Sequence, residues 1–293
     1  MTALGIDYGG THTKFLLVSQ GGEELARETA PTGSIDELGD RVARFLASAP
    51  ADAFGVTVAG TLDPATGIVG RSTNLPWLDG TAPAEVLSAR LGIPGTAVQD
   101  GEAAALAEAR LGAGRGSDDV FVLALGTGIA GAHVTRGSVR RGAHGAAGEV
   151  GHMRVATNGV VCSCGQLECL ETAIGGHQLA ARWAERGGAG ADGATAVDVV
   201  RAAESGDESA RAALDDAARA LGRAILEVSA LVDPELIVVG GGLSRSPEWT
   251  VHPAIEMARA SATFHTVPEI RLATLGVWAG ARGAAEAVRR VGP

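Results

Sequence analysis

The amino-acid sequence predicts a two-domain α/β protein, and three observations support this fold class. The chain has 293 residues, enough for two domains that each bury a core. Hydrophobic residues make up 46% of it and aromatic residues 3%, so the cores should consist mainly of Ala, Val, Leu and Ile. Each half opens with a strand, a glycine turn and a strand, which we interpret as a weak internal repeat. Two such halves imply a cleft between domains, where ligands prefer to bind.

The first half reads LGIDYGGTHTKFLLV at 4–18, with two apolar strand segments around a glycine turn. Beyond it, alternation and helical spacing predict a strand at 24–28, a helix at 35–47, a strand at 54–59 and an Ala-rich helix at 103–111. The Gly-rich, charged stretch at 112–118 is typical of a link between domains.

The second half repeats the opening and then continues with longer helices. Its predicted elements are strands at 120–125 and near 132–134, helices at 178–185, 196–204 and 210–231, a buried strand at 236–239, and further elements at 247–261, 270–274 and 278–289. Asp233-Pro234 is expected to end the longest helix.

The formal net charge of −10 disfavours binding to nucleic acid or anionic membranes, which requires basic patches. No apolar run approaches the ~20 residues that a membrane span needs. Met1 to Asp7 is already strand-like and lacks the pattern of a signal peptide, so we expect a cytoplasmic protein.

The first glycine turn, DYGGT at 7–11, is a candidate phosphate site. Gly9 and Gly10 let backbone N–H groups approach phosphate oxygens, while the hydroxyls of Thr11 and Thr13 and the charge of Lys14 add donors. Asp7 would repel a bare phosphate but suits one that carries Mg²⁺. The alternative is an ordinary hairpin turn.

The second glycine turn, GTGIAG at 126–131, matches the dinucleotide fingerprint G-x-G-x-x-G. That fingerprint must open a helix, whereas the residues that follow here are strand-like, so we reject a nicotinamide-dependent dehydrogenase. We interpret Gly126, Thr127 and Gly128 as a second phosphate-contacting hairpin. Gly240 to Gly242 would let a flat ligand such as adenine lie close to the backbone, and a plain loop is the alternative.

Asp100 lies at a strand end, immediately before the Ala-rich helix. As a helix N-cap its role would be structural, because Asp is a favoured N-cap residue. As a carboxylate on the floor of a cleft it could instead accept the proton of a substrate hydroxyl.

Every cysteine of the chain lies within eight residues, in the pattern His152-x9-Cys162-x-Cys164-x4-Cys169. Thiolates and imidazole are the usual ligands of tetrahedral Zn²⁺, and four protein ligands indicate a closed structural site. Three buried reduced thiols with a surface histidine are the alternative. Glu149 and Glu171 flank this cluster, and carboxylates on a rigid loop are good acceptors for paired sugar hydroxyls.

These motifs resemble a known family. GAAGEVGH at 145–152, followed by CSCGQLECLE at 162–171, is similar to the signature of ROK sugar kinases. DYGGT, the segment around Asp100, GTGIAG and GGG also fall in that family's order and spacing. The resemblance implies the two-domain actin-like ATPase fold (ribonuclease H-like) with an interdomain cleft. An N-terminal domain would span 1–111 plus 281–293, and a C-terminal domain with the zinc loop would span 112–280.

The resemblance also implies a role for each candidate residue. Asp100 would be the catalytic base in an ATP-dependent kinase that uses Mg²⁺ and holds a structural Zn²⁺. The sugar would contact Gly60, Asn74, Gln99, Asp100, Glu149, His152 and Glu171. The nucleotide phosphates and adenine would contact Asp7, Gly9, Gly10, Thr11, Lys14, Gly126, Thr127, Gly128, Gly241 and Gly242. His152 would bind zinc through one ring nitrogen and sugar through the other, and Cys162, Cys164 and Cys169 would complete the zinc site.

The sequence departs from the family near the predicted base. Where Asn-Asp-x-Asn is common, this chain has Gln99-Asp100-Gly101-Glu102, and His12 stands where a smaller polar residue is common. Despite these departures, a glucose-like hexose remains the first expectation for the acceptor. An amino sugar, an N-acyl hexosamine or a cyclitol is the alternative, because Glu102 could pair with an amine.

Two readings outside catalysis are also open. ROK relatives include repressors with an added helix-turn-helix segment before the first glycine turn; Asp7 leaves no room for one, and the charge argues against DNA. A catalytically silent sugar sensor of the same fold is the other alternative. A catalytic zinc is disfavoured, because four protein ligands leave no open position. The resemblance suggests a homodimer or homotetramer.

Overall fold

The computed structural model describes residues 1–72, 74–188 and 193–289. The described chain divides into two compact units. Unit 1 comprises 1–112, 137–139 and the segment from Leu275, and unit 2 comprises 113–136 and 140–274. Relative to the predicted domain bounds, the last segment of unit 1 begins at Leu275 instead of residue 281.

The strands are β1 (Ala3–Tyr8), β2 (His12–Val18), β3 (Glu24–Pro31), β4 (Ala53–Val58), β5 (Thr61–Leu62), β6 (Val69–Arg71), β7 (Gly95–Gln99), β8 (Asp119–Leu125), β9 (Ile129–Thr135), β10 (Ser138–Val139), β11 (Leu236–Gly240) and β12 (Glu269–Leu272). The α-helices are α1 (Ile35–Ser48), α2 (Pro83–Leu91), α3 (Asp100–Leu111), α4 (Leu170–Ile174), α5 (Gly176–Glu185), α6 (Ala196–Glu204), α7 (Glu208–Val232), α8 (Val251–Ser261) and α9 (Ala279–Arg289). Short 3-10 turns lie at Pro76–Leu78, Val150–His152, Gly242–Arg245 and Gly276–Trp278.

Unit 1 is built on a five-stranded sheet with the order β3-β2-β1-β4-β7. β1, β4 and β7 are parallel, whereas β2 and β3 are antiparallel to their neighbours. The carboxyl ends of the three parallel strands therefore lie at one edge of the sheet. In open α/β sheets this edge is where ligands bind.

Glycines bring helix α9 unusually close to that sheet. A Cβ added to Gly5 would lie 1.8 Å from the carbonyl oxygen of Ala281, and one added to Gly55 would lie 1.9 Å from that of Ala284. Gly283 meets the backbone of Ala103 on α3 in the same way, at 1.7 Å. Only glycine permits these contacts, so α9 is fixed between the sheet and α3.

Unit 2 carries the hydrogen-bonded strand order β9-β8-β11-β12, in which β8, β11 and β12 are parallel. Its core centres on the 25-residue helix α7, which has one apolar face against the sheet and α8. Asp207 caps the start of α7 by accepting hydrogen bonds from the N–H groups of Ser209 and Ala210, and Asp233 ends the helix in a left-handed conformation.

The strand–glycine turn–strand units predicted at the start of each half are present as β1–β2 and β8–β9. Helix α2 escaped prediction, although Pro83 at its first turn and Gly92 at its end are typical helix boundary residues. Helix α4 escaped because five residues give too short a periodic signal. The Ala-rich helix predicted from residue 103 starts at Asp100. Among the described residues no helix is long and apolar enough to span a membrane.

Candidate active site

The first glycine turn, 9–11, connects β1 to β2 at the carboxyl edge of the unit 1 sheet. Gly10 and Thr11 are exposed, and a Cβ on Gly10 would lie 3.2 Å from Cβ of Asn74, so these two predicted site residues are neighbours. The side chain of Thr32 holds the turn from behind by donating a hydrogen bond to the carbonyl of Gly9 (2.6 Å). The prediction that the Thr13 hydroxyl would face a phosphate is wrong: it is buried and lies 3.0 Å from the Thr32 hydroxyl.

Asp7 is held in place on both sides of its carboxylate. Lys14 Nζ lies 2.8 Å from Oδ2, and the Thr57 hydroxyl donates to Oδ1 at 3.1 Å. A Cβ on Gly280, near the start of α9, would lie 2.9 Å from the carboxyl carbon of Asp7. The positive end of the helix dipole therefore supports the carboxylate.

Asp100 is the first residue of α3, one position beyond the end of β7. One of its oxygens, Oδ1, accepts a hydrogen bond from the N–H of Gly101 (2.8 Å). The pKa of this carboxyl is raised from 3.8 to about 6, mainly by burial and to a smaller extent by the nearby charge of Asp7, while the hydrogen bond from the Gly101 N–H opposes the rise. Such a pKa suits a group that accepts a proton near neutral pH.

The N-cap of α3 is Gln99 and not Asp100, so the structural alternative for Asp100 is wrong. The Gln99 side-chain oxygen accepts a hydrogen bond from the N–H of Glu102 (2.8 Å). A Cβ on Gly101 would lie 3.0 Å from that oxygen, so glycine gives the longer Gln side chain the space to fold back. This leaves the Asp100 carboxylate free of the capping role.

Gly60 lies beyond the end of β4, on the same edge as Asp100. It has a φ of +140°, and an added Cβ would lie 2.1 Å from the carbonyl oxygen of Arg71. The positive φ and the close contact with Arg71 therefore both require glycine at position 60.

The second glycine turn, 126–128, connects β8 to β9 in unit 2 and is followed by a strand, which confirms that it is no dinucleotide fingerprint. Glu171 on α4 supports it: Oε2 accepts a hydrogen bond from the N–H of Ile129 (3.0 Å) and lies 2.8 Å from where a Cβ on Gly128 would be. The carbonyl of Gly126 accepts a hydrogen bond from the N–H of Gly176 (3.0 Å). Glu171 and the predicted phosphate turn, with Thr127 at its centre, thus form one cluster.

Gly241 lies beside that turn, because β8 and β11 are parallel neighbours. It has a φ of +92°, and an added Cβ would lie 2.3 Å from the carbonyl oxygen of Leu125. Within the described part of the chain, and apart from the residues next to it in sequence, no atom lies within 4 Å of the position that a Cβ on Gly242 would take, so a ligand has room there. The glycine-lined edge of β8 and β11 is the unit 2 counterpart of the edge at Asp100.

The predicted metal ligands form a compact group. His152, Cys162, Cys164 and Cys169 place one ligand atom each within 4.8 Å of all the others. Cys162 Sγ lies 3.7 Å from His152 Nδ1, and Cys164 Sγ lies 3.7 Å from Cys169 Sγ. Tetrahedral Zn²⁺ with its usual bond lengths separates two sulfurs by about 3.8 Å and a sulfur from a nitrogen by about 3.6 Å. The donor set and its spacing therefore fit zinc.

His152 points its second ring nitrogen away from the cysteines. Nε2 lies 3.9 Å from Oε2 of Glu149, three residues earlier in the chain. The backbone around them packs on β9, where a Cβ on Gly151 would lie 2.3 Å from the carbonyl oxygen of Ile129. Loop 148–152 thus carries a carboxylate and an imidazole side by side.

Within each unit the structure brings most of the predicted residues together. Unit 1 gathers the first turn, Asn74, Gly60 and Asp100, and unit 2 gathers the second turn, Gly241, Glu171 and the Cys/His group. Sequence reasoning missed Thr57 and Gly280, which support Asp7. Neither carries a motif, and only the pairing of β1 with β4 and the packing of α9 place them there.

Several known proteins are similar to this chain over most of its length. A glucokinase of Halalkalibacterium halodurans is 30% identical to 96% of this chain, over 92% of its own length. An N-acetylmannosamine kinase of Escherichia coli is 31% identical over 90% of this chain and 91% of its own. A glucokinase from Streptomyces griseus, solved with glucose and AMPPNP, is 30% identical, covers 100% of both chains and has a TM-score of 0.80.

The family model described as ROK family matches residues 3–291. Together with the relatives above, this extent shows the two-domain actin-like ATPase fold for the whole chain. The chain belongs to the ROK family.

Proposed function

We propose that this chain is an ATP-dependent kinase that phosphorylates a hydroxyl of a hexose-like sugar, with Asp100 as the catalytic base. The enzyme class follows from the relatives of this chain, since a glucokinase and an N-acetylmannosamine kinase both match it over nine-tenths of its length or more. ATP and Mg²⁺ are implied by that class. The remaining assignments are proposals about individual residues.

The observation that carries the proposal is the state of Asp100. It is partly buried at the carboxyl edge of a parallel sheet, it has one oxygen engaged by Gly101, and its pKa is raised to about 6. The second oxygen is left to accept a proton from a sugar hydroxyl. The hydroxyl oxygen then forms a bond to the γ-phosphorus of ATP, the bond from that phosphorus to the bridging oxygen breaks, and ADP leaves.

The two glycine turns would bind the phosphates. Gly10 and Thr11 are exposed and Gly9 is partly exposed, while Lys14 and Asp7 form an ion pair beside them. Asp7 would hold the Mg²⁺ that neutralises charge on the phosphates. In unit 2, Gly126, Thr127 and Gly128 would bind phosphate through backbone N–H groups, and Gly241 and Gly242 would leave room for adenine.

The sugar would be bound by Glu149, His152 and Glu171 in unit 2 and by Gly60, Asn74 and Gln99 in unit 1. His152, Cys162, Cys164 and Cys169 would hold Zn²⁺, which would fix loop 148–152 and α4 and take no part in the reaction. His152 would ligate the metal through Nδ1, leaving Nε2 beside Glu149 for a sugar hydroxyl.

Asp100→Asn tests the base. The amide cannot accept the proton, so kcat should fall by about a thousandfold or more, while the Kd for sugar should stay nearly unchanged. Steady-state turnover and calorimetric sugar binding would measure the two effects. Asp215→Asn, an exposed carboxylate on α7, is the matched control and should behave as wild type. Turnover of Asp100→Asn near the wild-type rate would refute the assignment.

A second candidate acceptor is an N-acyl or amino sugar, which the N-acetylmannosamine kinase relative favours. Gln99 and Glu102 could contribute to such a preference, because they replace residues common in the family. ATP consumption measured with glucose, mannose, glucosamine, N-acetylglucosamine, N-acetylmannosamine and inositol would decide, with the product position read by NMR. A sugar that binds without any turnover in the panel would favour a sensor instead. A cytoplasmic location and a homodimer or homotetramer remain predictions.

A further inference from the structure

An open pocket of about 590 Å³ lies in unit 2, separate from the residues discussed so far. Segment 156–158, α4, α5 and α7 line it. Its charged lining consists of Arg182, Arg186, Arg219, Arg223, Glu185 and Asp216.

The pocket is positively charged although the whole chain carries −10. Four guanidinium groups face two carboxylates, which leaves two positive charges in excess. Asp216 already pairs with both Arg186 and Arg219, and Glu185 pairs with Arg182. The carboxylates are therefore engaged, and the excess charge has no anion among the described residues that line the pocket.

Arg182 gives an independent indication. Its residue is only 9% exposed, and within the described part of the chain its Nε has no hydrogen-bond partner. A buried charged donor without an acceptor is costly, so such groups in folded proteins usually have a partner. Arg182 lines the pocket, so an oxyanion bound there would lie beside this charge.

We propose that this pocket binds a small molecule that carries a phosphate group, either free phosphate or a phosphate monoester. A phosphate monoester carries about −1.5 to −2 charges at neutral pH, which comes close to the excess of two, whereas one carboxylate would match half of it. Guanidinium groups bind phosphate oxygens in pairs with parallel hydrogen bonds, and here four of them converge.

The position of the pocket connects it to the proposed sugar site. On helix α4, Glu171 contacts the second glycine turn, while Ala173, two residues later and on the opposite face, lines the pocket. Arg223 donates a hydrogen bond to the carbonyl of Val155 (3.0 Å), and Asn158 donates one to the Thr172 hydroxyl (3.1 Å). A phosphate ligand would thus contact the elements that carry Glu171.

Isothermal titration calorimetry tests the proposal. Inorganic phosphate and, separately, glycerol 3-phosphate are titrated into the full chain at constant ionic strength, with a nonhydrolysable ATP analogue and glucose present to fill the nucleotide and sugar sites. We expect saturable binding of at least one probe. Arg219→Gln combined with Arg223→Gln should weaken it at least about tenfold, because two charge-assisted pairs are lost.

Arg211→Gln is the matched control, since Arg211 lies on the same helix and outside the pocket. It should bind as wild type. Arg219→Lys keeps the charge but loses the fork geometry, and an intermediate Kd is expected if the double variant fails to fold. Binding of the ester alone would assign the site to phosphate monoesters, and binding of both would assign it to the phosphate group itself. Absence of saturable binding of either probe, or equal binding by wild type and the arginine variants, would overturn the proposal.

Discussion

The two glycine turns share a backbone plan but differ in the side chains that support them. The turn at 9–11 has its charges within its own hairpin, where Lys14 pairs with Asp7 across β1 and β2. The turn at 126–128 has no charged residue, and its supporting carboxylate, Glu171, comes from α4, two residues after Cys169.

This difference indicates that the two turns, although built on one motif, are suited to different binding roles. A hairpin with its own ion pair is suited to a charged phosphate–metal group. A turn with no charged residue within three positions on either side, held by a carboxylate next to the Cys/His group, would be suited to join phosphate binding to sugar binding. We expect changes in the first turn to affect the nucleotide, and changes around the second to affect the sugar as well.

The largest difference between the two turns should appear when the kinetics of Lys14→Met and Glu171→Gln are compared. Loss of the Lys14 charge should lower kcat/KM for ATP by about a hundredfold or more, with sugar affinity unchanged. Glu171→Gln keeps an acceptor for the Ile129 N–H but removes the charge, so the KM for sugar should rise at least about tenfold. Steady-state kinetics with each substrate varied would measure both. If both variants changed only the ATP parameters, the proposed division would fail.

The next largest effect should come from removal of the proposed metal, which should affect unit 2 and leave unit 1 unchanged. Zinc analysis should give one ion per chain, and Cys169→Ser should lose it and destabilise unit 2 by several kcal/mol. Among the described residues, this is the only such Cys/His group. Local hydrogen exchange should therefore rise in loop 148–171 and not in β1–β2. Ser163→Ala, inside the same loop, serves as the control. A zinc-free protein with unchanged exchange in this loop would contradict the structural role.

Substitution of Gly241 and Gly126 by Ala should have different effects on stability. Gly241→Ala places a Cβ 2.3 Å from a carbonyl oxygen at a φ of +92°, so it should destabilise the fold by about 2–4 kcal/mol. Gly126→Ala meets its nearest atom at 3.5 Å and should leave stability nearly unchanged. Any fall in activity of Gly126→Ala would then report on ligand contact. Denaturant unfolding and kinetics on both variants would distinguish the two; equal loss of stability in both would be the contrary outcome.

These cases indicate what the sequence can and cannot predict. The two hairpins, the Cys/His group and Asp100 have local signals, because turn glycines, ligand spacing and a strand end are visible in the residues themselves. The roles of Gly5, Gly55 and Gly283 depend in all three cases on a helix more than 170 residues distant, so they have no local signal. Gln99 as N-cap was missed because Asp is the stronger capping residue and stands next to it.

The smallest effect concerns pH. Because the pKa of Asp100 is about 6, kcat/KM should rise with pH and level off above it. Asp7 raises that pKa, so Asp7→Asn should move the rise to lower pH even as it lowers the rate. Kinetic pH profiles of both proteins would show the shift. If the midpoint of the rise in kcat/KM were unchanged in Asp7→Asn, that rise would report the titration of another group.

Folding stability offers a second readout of the same titration. A carboxyl whose pKa is raised on folding binds more protons in the folded state between pH 3.8 and about 6, so the free energy of unfolding falls as pH rises through that window. Asp100→Asn should remove this fall and be more stable than wild type at pH 8 by about 3 kcal/mol, and nearly equally stable at pH 4.

The contact between Glu171 and the second glycine turn also has an evolutionary consequence. If Glu171 binds the sugar as proposed, natural selection could not easily change it for one ligand without also affecting the phosphate turn. We expect diversification of substrate choice to have occurred elsewhere, at positions with a single duty. Gln99 and Glu102, the two departures beside the proposed base, are such candidate positions because neither is proposed to contact the second glycine turn, and replacement of both by Asn should alter the ranking of acceptors while Glu171 variants lower activity toward all of them.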